Sequence, residues 1–150
     1  MTTGASNDWA FDGGKSLSRE AAEVLLRGGL EYADREGGAF CIAVVDSGGN
    51  LKAFARMDGA PLLAIQVAQD KAYTAVGFGM PTSGWYDFIK DDPPLALGAP
   101  SGIDRLVVFG GGIPVVVDGN LIGGVGVSGG HYSQDANVAQ AAIDSLLARG

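Results

Sequence analysis

The stretch "IPVVVDGNLIGGVGVS", residues 113–128, constrains the fold of this chain more than any other. Two apolar runs flank Asp118-Gly119, and Asp-Gly in that setting is a strong two-residue hairpin signal because both central turn residues take positive φ. The predicted strands at 113–117 and 121–128 must therefore pair antiparallel. A second hairpin is predicted upstream, where the apolar run 40–45 meets Asp46-Ser47-Gly48-Gly49-Asn50 and residues 51–57 return. A fifth strand is expected at 105–109, just before Gly110–Gly112.

Helices are expected between these strands. Ser18 is placed as an N-cap with Leu17 at the staple position, and Ala21, Ala22, Leu25, Leu26 and Ala33 keep helical spacing until Gly37-Gly38. A second helix opens at Pro61 and runs through Phe78. The segment from Met80 to Asp104 reads as irregular, with one short helical turn near 85–90. A last helix is predicted over 135–147, with Asp135 as its N-cap and Val138, Ala139, Ala142, Ile143 and Leu146 on one face. The order implies one α+β domain, an antiparallel sheet with flanking helices, over residues 17–150. Residues 1–16 read as a loose leader in which Trp9 and Phe11 could act as anchors.

The net charge of −7 disfavours nucleic acid and anionic membrane surfaces as partners, since both need clustered cations. No apolar run reaches the roughly 18–20 residues of a membrane span. With one cysteine, Cys41, no internal disulfide can form. The start of the chain lacks the apolar core of a signal peptide, so a cytoplasmic location is expected.

Lys71 is the most informative candidate residue. Its helical face holds Ala64, Val67, Ala68, Thr74, Ala75 and Phe78, and a lysine centred there needs a partner or a cleft. Asp46, Asp58 and Asp135 are its candidate ion-pair partners. Arg56 and Asp58 share one face if their segment is extended, so they could clamp a ligand carboxylate or pair with each other. His131 and Tyr132 follow the glycine run and precede the last helix, a junction at which sites are commonly built. The glycines match neither a P-loop nor a dinucleotide fingerprint. One His and one Cys give no metal-ligand pair at close spacing. Ser128, His131 and Asp135 could be written as a triad, but nothing marks a nucleophile elbow.

Three motifs in order, "IAVVDSGGNLKAFARMDGA", "AIQVAQDKAYTAVGFGMPT" and "GGGIPVVVDGNLIGGVGVSGG" followed by "QD", resemble one family. It is the family of GlcG, the haem-binding protein HbpS and the C-terminal domain of PduO-type proteins, and the resemblance runs from about Leu17 to Leu147. It implies a profilin-like fold with a five-stranded antiparallel sheet, assembly into dimers or octamers, and a small-molecule ligand. Haem is the cofactor it implies, if any is required.

The leading expectation is a pocket for haem or a related ligand, lined by Arg56, Lys71 and the segment from Ser128 to Asp135. Asp58, Thr74, Phe78, Ser128, Gly129, Gly130 and Tyr132 are its further candidate lining residues. His131 or Tyr132 could serve as an axial ligand, and Arg56 or Lys71 could meet a propionate. A second expectation is a cofactor-free isomerase or tautomerase acting on a small anionic metabolite. There Lys71, His131 and Asp135 would be catalytic, with backbone N–H groups of Ser128–Gly130 as donors. The third is a non-catalytic oligomeric accessory protein.

Overall fold

The computed structural model describes residues 6–11 and 15–149, so residues 1–5 and 12–14 of the expected leader lie outside it. Among the described residues five α-helices and four strands follow in chain order, besides two single 3-10 turns: α1 (Arg19–Glu36), β1 (Cys41–Asp46), β2 (Leu51–Arg56), α2 (Leu62–Phe78), α3 (Trp85–Ile89), α4 (Pro93–Gly102), β3 (Gly112–Val117), β4 (Asn120–Ser128) and α5 (Tyr132–Arg149). Both predicted hairpins form, and β1 also pairs antiparallel with β4, which gives the order β2-β1-β4-β3. Ser18 caps α1 by accepting from Ala21 N–H, and Gly37 ends it in the left-handed conformation.

The sheet carries helices on both faces. Ile42, Val44, Val115, Val125 and Val127 pack with Leu25, Val138, Ala142 and Leu146 of α1 and α5 in the larger core. Cys41, Ala43 and Val45 pack on the other face with Ala64, Ala68, Ala72 and Val76 of α2. That second layer is unusually thin. A Cβ at Gly126 would overlap the Ala68 carbonyl oxygen, and one at Gly112 would overlap that of Lys71. Glycines in the strands and alanines on the helix thus let two backbones meet directly, and this accounts for much of the glycine run.

The expected fifth strand does not form. Arg105 sits at φ 65°, which breaks an extended run. The backbone of this segment finds its partners on α2 instead: Thr74 Oγ1 donates to Arg105 O at 2.9 Å and accepts from Val107 N–H at 3.1 Å. The Arg105 guanidinium lies 4.0 Å from the Tyr73 ring centroid and pairs with Asp70 at 2.8 Å. Side-chain anchoring to a helix has replaced a strand neighbour. The short helix near 85–90 is present as α3, whereas α4 was hidden by prolines. Pro93 and Pro94 occupy its first turn, where no intrahelical N–H is needed, and the Asp92 side chain caps it.

Candidate functional site

Lys71 and Asp135 form the polar centre of the molecule. Lys71 is 1% exposed and Asp135 2%. Lys71 Nζ donates to Asp135 Oδ2 at 2.8 Å and to Val127 O at 2.9 Å, while the Phe109 ring centroid lies 5.1 Å away. Asp135 Oδ1 accepts from Gly130 N–H at 3.0 Å. Of the three carboxylates expected as partners, Asp135 is the one Lys71 meets. Burial pushes the Lys71 ammonium down and the Asp135 carboxyl up from their ordinary pKa values, and their mutual contact opposes both shifts. A Cβ at Gly111 would lie 2.7 Å from Nζ, so the glycine run here makes room for the lysine head.

This pair joins the two helical layers, because Lys71 belongs to α2 and Asp135 to α5. It also fixes the chain leaving β4. The last helix starts at Tyr132, three residues before the predicted boundary, so Asp135 lies in its first turn and is not its N-cap. His131 takes that place. Its Nδ1 accepts from Ser133 N–H at 3.2 Å, and its own N–H donates to Gln134 Oε1 at 3.1 Å, a capping-box exchange. Nδ1 is also 2.8 Å from Ser133 Oγ, and the ring stacks on Tyr132 with centroids 4.0 Å apart.

Beside this corner a cleft of about 470 Å³ is lined by Tyr86, Phe109 and Tyr132 with Val108, Ser83, Asp87 and Gly110. Three aromatic side chains on different elements give it an apolar wall. Asp87 is the charged residue of the lining, and Lys90 pairs with it at 3.2 Å.

The remaining candidates are dispersed. Arg56 aligns with Cys41 and Ser128 in one row across three strands, about 10 Å from Ser128 at the usual strand spacing. Its guanidinium donates to Ala60 O at 3.0 Å, and among the described residues no ion pair joins it to Asp58. Thr74 holds the Arg105 segment. Phe78 packs with Trp85 and Phe88, at centroid distances of 5.0 and 5.7 Å. The Gly130 N–H is already engaged by Asp135 and is not a spare donor. Sequence reasoning passed over Phe109, Tyr86 and the capping partners of His131. The His131-to-Gln134 spacing was the one available signal for the cap.

The chain matches the model of the haem degrading protein HbpS-like family over residues 17–144. It belongs to that family. Protein GlcG of Escherichia coli K12 is 40% identical over 112 residues, which cover 75% of this chain and 81% of GlcG. The crystal structure of Klebsiella pneumoniae ORFY superposes with a TM-score of 0.84 at 29% identity, covering 99% of this chain and 97% of ORFY. The crystal structure of a PduOC:haem complex gives a TM-score of 0.78 at 33% identity, covering 87% of this chain and 94% of PduOC. Among the described residues no helix is long and apolar enough to cross a membrane.

Proposed function

We propose that the aromatic cleft is a binding site for haem or a similar planar ligand, with His131 as the ligating side chain. The observation that carries this reading is the pairing of His131 with Ser133. A metal-bound imidazole donates its other ring N–H to a neighbouring acceptor. Ser133 Oγ, 2.8 Å from Nδ1, can accept that proton and leave the Nε2 lone pair for iron. The alternative tautomer, in which Nδ1 accepts from Ser133 N–H, serves as the helix cap. A ligand would select between the two.

The cleft residues fit such a group. Tyr86, Phe109 and Tyr132 supply apolar and aromatic surface for a flat ring. The haem complex of PduOC supports the ligand class. Bound haem would bring an iron centre capable of one-electron and O₂ chemistry. Lys71 and Asp135 act here by positioning: they hold Gly130, and through it the start of α5, so Tyr132 stays in the cleft with Phe109 and His131 stays next to it. Both are buried, so neither offers a proton to a ligand in the cleft, which favours binding over the isomerase reading.

Self-association is part of the proposal. Leu62 and Leu63 on α2 are 74% and 80% exposed, and Phe78, Tyr86, Leu97 and Ile103 are each at least half exposed nearby in the chain. Apolar surface of this kind is covered in oligomers.

Haemin titration tests the reading. The expected result is a saturable Soret shift that is lost in His131→Ala and weakened in Ser133→Ala, with the fold of both variants intact by circular dichroism. An absent shift, or an undiminished one in His131→Ala, overturns it.

A further inference from the structure

A second cavity lies against the β4–α5 connection, between the C-terminus of α1 and the first turns of α5. It measures about 330 Å³ and is lined by Tyr32, Glu36, Phe40, Gln134, Asn137 and Val138, with the backbone of Gly37–Ala39 and Gly129–Gly130. From this arrangement we infer that it binds a small organic cation, an ammonium group carried on an apolar body.

The lining divides by chemistry. Phe40 and Val138 are buried and form an apolar floor. Glu36 is exposed, and among the described residues neither its carboxylate nor the Asn137 amide is engaged by another side chain. Both are therefore available to a ligand. The last carbonyl groups of α1 add partial negative charge at the same end, since a helix C-terminus leaves its final acceptors unpaired. Tyr32 adds an aromatic side chain to the lining; its ring already has the Arg35 guanidinium 5.9 Å from the centroid, so Glu36 and the α1 carbonyl groups carry the preference for a cation. The opposite wall offers little to an anion. The Gly130 and His131 N–H groups are occupied by Asp135 and Gln134, so this helix start presents few spare donors.

The glycines keep the cavity open. A Cβ at Gly130 would meet Gln134 Oε1 and lie 3.1 Å from the Phe40 ring, and one at Gly129 would lie 2.9 Å from Phe40 Cα. Gly129 also holds φ 146°, which a side chain rarely adopts. These residues form a bare backbone wall of the cavity.

The proposal stands independently of haem binding, and its test separates the two. Benzylamine, protonated at neutral pH, and neutral benzyl alcohol are titrated into the ¹⁵N-labelled full chain. Benzylamine is expected to produce saturable shifts at the amides of Gly37–Phe40, Gly129, Gly130 and Asn137–Val138, while benzyl alcohol binds at least about tenfold more weakly. Glu36→Gln should weaken benzylamine binding by a similar factor, with an unchanged melting temperature and unchanged haemin titration. Equal binding of the two probes, unaltered binding in Glu36→Gln, or no saturable shift with benzylamine up to about 10 mM, where even a weak millimolar site would fill, overturns the assignment.

Discussion

Asp135→Asn preserves the shape of the side chain and its contact with Gly130 but removes the charge that faces Lys71. Lys71 then remains 1% exposed with Val127 O as its one strong acceptor. Removing one partner of a buried ion pair costs about 3–5 kcal/mol, because the other charge is left uncompensated. For a chain of this size that corresponds to a fall of about 6–20 °C in melting temperature. Lys71→Met should cost a similar amount, whereas Lys71→Met/Asp135→Leu should recover most of it, less about 1 kcal/mol for the lost Gly130 bond. The pH trends of the single variants are opposite. Without Asp135, the folded pKa of Lys71 lies further below 10.5, the unfolded chain binds more protons in that window, and stability relative to wild type rises with pH. Without Lys71, the folded pKa of Asp135 lies further above 3.8, the folded chain binds more protons, and relative stability is lost as pH rises through that value. Urea unfolding of the four proteins across pH 4–10 measures both effects. A cost below about 1 kcal/mol for Asp135→Asn, or parallel pH trends for the two single variants, would refute the reasoning.

Gly126→Ala should destabilise the fold by at least about 1–3 kcal/mol, because α2 must move off the sheet to admit the methyl group; thermal unfolding checks this. The Cys41 thiol is fully buried and desolvation raises its pKa, so it should react with a disulfide reagent only as fast as the sheet opens. Equal rates in native and urea-unfolded protein would contradict that. Gln134→Ala removes the capping-box acceptor of His131 and should cost about 1 kcal/mol, read by urea unfolding. Phe109→Ala is expected to weaken haemin binding more than it lowers stability, because the ring is almost half exposed at the cleft.

The strong local signals in the sequence correspond to the observed elements. Asp118-Gly119 is the turn between β3 and β4, Ser18 is the cap of α1, and Lys71 is buried with a carboxylate as its helical face demanded. The failures occurred where tertiary contacts override local pattern. Residues 106–109 are an apolar run like that of a strand, yet Thr74 and Asp70 on a distant helix claim the hydrogen-bonding groups of this segment. The prolines around α4 looked like breaks because nothing local shows that two of them fill a first turn. Asp135 resembled both an N-cap and a partner for Lys71; the pairing across 64 residues holds, while the helix begins three residues earlier at Tyr132. The cleft was illegible for the same reason. Tyr86, Phe109 and Tyr132 lie on three separate segments, and only the folded chain gathers them.

The most direct test of the central claim is a crystal structure of the full chain with haemin bound. The account predicts iron ligated by His131 Nε2, Nδ1 donating to Ser133 Oγ, and the ring seated between Tyr86, Phe109 and Tyr132. Haemin held elsewhere on the chain, or bound beside Phe109 without a bond to His131, would contradict it.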